Sequence, residues 1–322
     1  MVRYLTQRIA QFALVVLGAT AVVFVAMYVA TDPARTALPV GTPEEDVEAF
    51  RRQLGLDRPL IVQYLTFLWD AVRGDFGTSV WLGEPALDVV LESLPATAAL
   101  ALPATVIGVV LGVGTGVLVS MRPGSMLDNA VNVLGYGLIS LAEFWLAIML
   151  IMLVAVRLGL VPTAALPGHP TSLILPIAVL AVRPFAHQAQ MMRASMIAER
   201  GRQYVTTARA KGLSETRVAL RHILRNAAVP SVTLGFYELS RLFVGTAVAV
   251  EIVFAWPGIG RLAAEALERG DIFLVQAVVV VAAVVVASLN LVADLLGFWL
   301  DPRTRSELRA ARAPHPAKGA AL

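Results

Sequence analysis

Ser93-Leu94-Pro95-Ala96-Thr97-Ala98-Ala99-Leu100-Ala101-Leu102-Pro103-Ala104-Thr105-Val106-Ile107-Gly108-Val109-Val110-Leu111-Gly112-Val113-Gly114-Thr115-Gly116-Val117-Leu118-Val119-Ser120-Met121 is a run of 29 residues without a charge. A helix needs about 20 apolar residues to cross a bilayer, so this stretch reads as a membrane span. Composition agrees. Of 322 residues, 57% are hydrophobic and 15% charged, against about 25% charged in a soluble domain, and mean hydropathy is +0.73.

Five more spans lie on either side. Ile9 to Thr31 is uncharged and follows Arg3 and Arg8; its length fits an uncleaved span rather than a signal peptide, whose apolar part is about 7–15 residues. Asn129 to Val156 is interrupted only by Glu143. Leu173 to Met192 is apolar but holds Arg183, Pro184 and His187, with a helix break expected at Arg183-Pro184. Val232 to Ala255 carries Glu238, Arg241 and Glu251. Ile272 to Leu300 carries Asp294 near its end. The fold class is therefore an all-α membrane protein with six transmembrane helices.

Charge placement orients them. The segment Arg193–Arg225 holds eight basic residues and two acids, and the tail from Asp301 holds five basic and two acidic residues. Basic loops stay inside, which puts both segments and both termini in the cytoplasm. Residues 32–92, with five basic and eleven acidic residues, suit an external loop. The organisation is then 1–31 (N-terminus and first span), 32–92 (external loop), 93–305 (five-span core, with a cytoplasmic loop at 193–230) and 306–322, an Ala/Pro-rich tail expected to be disordered. The net charge of +3 is explained by topology and gives no reason to expect nucleic acid as a partner.

Several chemistries are excluded. There is no Cys, and both lysines, Lys211 and Lys318, precede Gly, so no Gly-Lys-Ser/Thr phosphate loop exists. The four His include no i,i+4 pair and there is no G-x-S-x-G elbow. No metal, cofactor or catalytic residue is expected on this chain.

The external segment predicts two helices. Thr42-Pro43-Glu44-Glu45 has the form of a capping box with Pro at the first helical position, followed by Val47, Phe50 and Leu54 on one face. A second amphipathic stretch follows Pro59, with Leu60, Tyr64, Phe67 and Leu68 on one side. These helices either pack over the bundle or form a landing platform for an external partner.

Between the fourth and fifth spans stands Tyr204-Val205-Thr206-Thr207-Ala208-Arg209-Ala210-Lys211-Gly212-Leu213-Ser214, continuing through Arg217 and Arg221 to Pro230. This predicts a helix, a Gly break, a second basic helix and a Pro at the next span. Such a knob suits a groove on a partner; a basic loop near anionic membrane lipid is the alternative.

This run resembles the EAA loop of importer-type ABC transporter permeases in the form found in the dipeptide/oligopeptide subfamily. Leu54-Gly55-Leu56-Asp57-Arg58-Pro59-Leu60 with Gln63-Tyr64, Gly74-Asp75-Phe76-Gly77-Thr78-Ser79, Leu94-Pro95-Ala96-Thr97, Glu251 with Phe254 and Trp256-Pro257-Gly258-Ile259-Gly260-Arg261-Leu262, and Asn290, Asp294 and Asp301-Pro302-Arg303 resemble further signatures of that subfamily in the same order. Thr206-Thr207-Ala208 replaces the general Glu-Ala-Ala, and Ala142 stands before Glu143-Phe144-Trp145 where the family often has Pro, which implies that a kink there is straightened.

The resemblance implies the importer-type permease fold in a bacterial cytoplasmic (inner) membrane. The implied partners are a second permease of related fold, two cytoplasmic ATPase domains that hold ATP and Mg, and an external substrate-binding protein. It assigns ATPase coupling to Tyr204, Thr207, Ala208, Arg209, Ala210, Lys211, Gly212, Leu213, Ser214, Arg217 and Arg221. Charged groups inside spans are costly and default to functional candidates. Glu143, Arg183, Glu238, Arg241 and Glu251 are therefore translocation-pathway candidates, with Glu238 and Arg241 placed i,i+3 to pair with each other. Gly108, Gly112 and Gly116 at i,i+4 spacing favour close helix packing within the bundle. Peptides are the implied solute. A nickel chelate or glutathione is the alternative within the family, and an ATP-independent transporter the alternative outside it.

Overall fold

The computed structural model of the chain describes residues 2–30, 33–36, 38, 41–53, 55–166 and 169–300. Leu54, Asp301-Pro302-Arg303 and the tail 306–322 lie outside them. Among the described residues the chain is all-helical. It runs α1 (Val2–Ala30), α2 (Pro33–Thr36), α3 (Glu44–Gln53), α4 (Leu60–Val72), α5 (Ala86–Ser120), α6 (Met126–Ser140), α7 (Glu143–Leu150), α8 (Ile174–Arg200), α9 (Gln203–Ala210), α10 (Glu215–Val218), α11 (Leu224–Arg241), α12 (Ala247–Val253), α13 (Ile259–Glu268) and α14 (Ile272–Leu300). Wide π-helical turns extend α7 over Ile151–Arg157 and join α10 to α11 and α11 to α12.

Among the described residues, four helical stretches are long and apolar enough to cross a membrane: Thr6–Met27, Ala86–Ser120, Pro170–Arg200 and Ile272–Leu300. The pair Met126–Ser140 and Glu143–Arg157 makes a fifth if counted as one span, but it bends by 100°. The expected straight third span is thus corrected. Leu141 and Ala142 are extended, with ψ of 135° and 130°, and no proline is needed to break the helix. Glu143 opens α7 from its first turn, where a carboxylate favours the positive helix end, and it meets Arg183 of α8.

One further expected break is absent: α8 passes through Arg183-Pro184 without interruption. Pro230, expected at the next span, lies inside α11. In α8 the reason is packing: Pro184 is buried against α5, so the neighbouring helix holds the backbone that proline would otherwise loosen.

The α5–α8 pair is the centre of the bundle. A Cβ added to Gly108 would stand 2.7 Å from Pro184 Cβ and 2.8 Å from the Ala181 carbonyl oxygen. At Gly112 it would stand 2.5 Å from the Phe185 oxygen, and at Gly116 2.6 Å from the Ala189 oxygen. Each glycine admits one turn of α8, so the backbones touch over three turns. At the near end of this pair, the fully buried Asp128 of α6 accepts from both Nε and Nη2 of Arg193 on α8 and from the Gly124 amide.

α14 is tied on by its polar groups. Asp294 pairs with Arg8 of α1 at 2.8 Å and accepts from the Tyr237 hydroxyl of α11 at 2.9 Å, and Ser240 donates to Asn290 at 2.9 Å. At the other end of α14, buried Asp271 accepts from the Leu274 amide, the Ser79 hydroxyl (2.6 Å) and the Trp81 amide. This pins the loop after Gly77, which sits at φ 76° with the Phe273 ring against it.

The external-type segment folds as its sequence predicts. α3 begins at Glu44 and buries Val47; α4 begins after Pro59. α4 packs on α1 through Phe24, Tyr64 and Phe67, and the Thr20 and Tyr64 hydroxyls meet at 2.9 Å. Its other face leaves Ile61, Leu65, Trp69 and Val72 exposed.

The glycine stripe makes a specific prediction. Gly112→Ala places a methyl group against backbone and is expected to destabilise the protein by about 1–3 kcal/mol. Gly114→Ala, which meets nothing within 4 Å, leaves stability unchanged. Thermal unfolding of the two variants in detergent checks this, and equal midpoints would refute the close-packing account.

Candidate functional site

The knob between α8 and α11 is a folded unit. α9 ends in a turn with Gly212 at φ 77°. The Gly212 amide donates to the Arg209 oxygen (2.9 Å) and the Leu213 amide to the Ala208 oxygen (3.4 Å), the two bonds of a Schellman cap. Val205, Ala208, Val218, Ala219 and Ile223 are buried against Val117 of α5 and Met192 and Met196 of α8. Arg209 donates twice to Glu215 across the turn, at 2.7 and 3.0 Å, and its guanidinium lowers the Glu215 carboxyl below the ordinary value. Tyr204 donates to Glu199 at 2.7 Å, and burial raises its phenol.

Of the residues singled out in this segment, Ala208 is buried and Tyr204 and Leu213 are half-buried. Thr207, Arg209, Ala210, Lys211, Gly212, Ser214, Arg217 and Arg221 are exposed. The inner face anchors the knob on α5 and α8; the outer face offers cations around a rigid glycine turn. Leu220, which sequence reasoning passed over, adds an apolar group to that face and is 52% exposed.

A second constellation lies inside the bundle. Arg183 of α8 stands 3.6 Å from Glu143 at the start of α7. One turn on, His187 Nδ1 meets the buried Glu238 of α11 at 2.5 Å. The expected pairing of Glu238 with Arg241 is therefore corrected: the partner of Glu238 is His187, because that side of α11 faces α8. Glu143, Arg183, His187 and Glu238, from three helices, gather where α7 breaks away from α6, while Arg241 is exposed.

Glu251 stands apart from this cluster. It is fully buried and accepts from the Thr97 hydroxyl at 2.6 Å and from the Gly260 and Arg261 amides at 2.8 and 3.0 Å. Thr97 accepts from the Ile259 amide, and the Trp256 indole donates to the Ala96 oxygen. Leu94-Pro95-Ala96-Thr97 and Trp256-Pro257-Gly258-Ile259-Gly260 are thus two halves of one joint, which holds the start of α13 on α5. Gly258 and Gly260 leave no room for a Cβ beside the Glu251 carboxylate.

Sequence reasoning missed Asp128 and Asp271. Ser125 caps α6 through the Asp128 amide, a pattern that marks a helix start, but nothing local points to Arg193, 65 residues away.

Comparison with known proteins adds an independent finding. Residues 96–306 match the model of the binding-protein-dependent transport system inner membrane component. Residues 1–101 match the N-terminal region of such membrane components. The chain is 35% identical to the oligopeptide transport system permease protein AppB of Bacillus subtilis (strain 168), over 94% of this chain and 99% of that one. It is 31% identical to the metal-staphylopine import system permease protein CntB of Staphylococcus aureus (strain Mu50 / ATCC 700699), over 96% and 100%. A solved inward-facing structure of the MetNI methionine ABC transporter shares the fold, with TM-score 0.53 and 19% identity over 66% of this chain and 96% of that one.

The joint around Glu251 has a measurable signature. Glu251→Gln turns an amide NH2 or loses charge toward two backbone donors, and is expected to cost about 1–3 kcal/mol. Limited proteolysis then opens the α12–α13 connection. Transport per folded molecule stays near wild type if Glu251 only holds the joint, and falls if it lines the route.

Proposed function

This chain belongs to the family of binding-protein-dependent transport system inner membrane components, and on that premise we propose that it is the permease subunit of an ATP-driven importer of dipeptides or oligopeptides. It is a transport component rather than an enzyme. Six spans with cytoplasmic termini are the topology we assign. α11 and α12 make the fifth span, with Glu238 turned to α8 and Glu251 to α5 and α13, and the bent α6–α7 pair makes the third. Residues 32–92 then lie outside, 193–230 form the cytoplasmic loop, and 306–322 are the cytoplasmic tail.

The observation that carries this reading is the knob, a rigid glycine turn whose exposed cations project from two bundle helices. It suits a groove on a cytoplasmic ATPase. The assembly we infer holds this chain, a second permease, two ATPase domains that bind ATP and Mg, and an external binding protein that docks near the exposed face of α4. Closure of the ATPase pair pushes the knob, and α8 and α11 transmit the movement as packed elements. Glu143, Arg183, Glu238 and Arg241 line or border the route; Glu251 serves as the joint described above. The likeness to CntB supports a second reading, in which the solute is a metal chelate.

Two experiments test this. In the reconstituted complex, Gly212→Arg forces a side chain onto a left-handed backbone position. Peptide-stimulated ATPase activity is expected to fall about tenfold, within the range of ordinary coupling energies, while the strained turn costs about 1–2 kcal/mol of stability and leaves the protein folded. Unaltered coupling, or transport by this chain without any ATPase, overturns the importer reading. Glu143→Gln leaves Arg183 without its carboxylate and is expected to lower peptide uptake at least several-fold while basal ATP hydrolysis persists; uptake equal to wild type removes Glu143 from the route.

A further inference from the structure

A cavity of about 560 Å³ opens beside the knob, where α9, the start of α11 and the end of α14 meet. Arg221, His222, Arg225, Asn226, Tyr204 and Trp299 line it. Among the described residues, no carboxylate lies within ion-pairing distance of Arg221 or Arg225. Of the loop's own acids, Glu199 is held by Tyr204 at the cavity's edge and by Arg202, and Glu215 by Arg209. The cavity thus carries two guanidinium groups that no carboxylate of the described chain pairs.

Its position selects the ligand. Trp299 is 70% exposed in the last turn of a 29-residue apolar helix, the level at which tryptophan meets lipid headgroups. Val292 and Leu295 are exposed on the same helix, at spacings of seven and four residues from Trp299, so an apolar stripe leads away from the cavity along α14. A guanidinium pair at headgroup depth beside an apolar stripe matches a phosphate diester carrying acyl chains. A soluble partner would meet the cations but leave the stripe unused.

We propose that this cavity holds the phosphate headgroup of an anionic phospholipid, with Arg221 and Arg225 on the phosphate and the acyl chains along Val292 and Leu295. The lipid ties the second helix of the knob to the end of α14. The unit that meets the ATPase is then braced by the membrane as well as by α5 and α8.

The test uses the purified complex in detergent, with phosphatidylglycerol or phosphatidylcholine added and bound lipid counted by native mass spectrometry. Wild type is expected to retain phosphatidylglycerol in preference to phosphatidylcholine. Arg225→Gln retains it about fivefold less, the effect of one basic residue at a membrane surface. Arg225→Lys, which keeps the charge, recovers most of the loss, and Arg202→Gln, a cation outside the cavity, has no effect. Equal retention by wild type and Arg225→Gln overturns the proposal. Displacement of the lipid by millimolar inorganic phosphate assigns the site to free phosphate instead. Stronger retention after removal of residues 301–322 assigns it to the chain's own tail.

Discussion

The backbone contact between α5 and α8 is the constraint on which the rest of the structure depends. Gly108, Gly112 and Gly116 present no side chain to Ala181, Pro184, Phe185, Gln188 and Ala189, and in a membrane such close fit replaces the hydrophobic drive that water would supply. The register it sets fixes α8 in rotation and in height. Arg183 and His187 consequently face α7 and α11, Arg193 reaches Asp128, and Met192 and Met196 turn to the knob. A slide of one turn along this seam would displace all three sets together.

Buried carboxylates close the ends of the bundle. Glu251, Asp271 and Asp128 are each inaccessible to solvent or nearly so, and a charge so placed is tolerated only when hydrogen bonds replace its water. Each finds backbone amides: Gly260 and Arg261 for Glu251, Trp81 and Leu274 for Asp271, Gly124 for Asp128. Each also takes a side chain from a distant element, so that Thr97, Ser79 and Arg193 join segments far apart in sequence. These joints hold the short helix α13, the loop before α5 and the turn before α6, which have too little apolar surface to hold themselves.

The knob and the intramembrane cluster share a mechanical frame. α8 carries Arg183 and His187 and runs straight into the knob at Arg200; α11 carries Glu238 and Arg241 and leaves from the knob's other side. From Arg200 to Arg183 is 17 residues, roughly 26 Å of helix. The knob is continuous with both helices; the Glu143–Arg183 contact lies where α8 meets α7, and the His187–Glu238 contact where α8 meets α11. α7 is joined to α6 through the extended residues Leu141 and Ala142 and is tied to α8 by the Glu143–Arg183 pair.

The amino-acid sequence by itself determined the membrane class, most of the spans, the helix–glycine–helix knob and the role of the glycine stripe, because each depends on apolar length, on 3.6-residue spacing or on a turn that only glycine adopts without strain. Those are local properties and survive in one dimension. The break at Leu141-Ala142, the straight passage of α8 through Pro184, the choice of His187 by Glu238 and the architectural place of Glu251 were decided only by tertiary structure. In each case the local preference is weak or points the other way, and the outcome follows from what another helix brings to that point: Arg183 to Glu143, Gly108 to Pro184, α8 to Glu238, and the amides of α13 together with Thr97 to Glu251. Partners brought by another helix leave no mark on the spacing of either, so the signature motifs were visible as words while the joint they build was not.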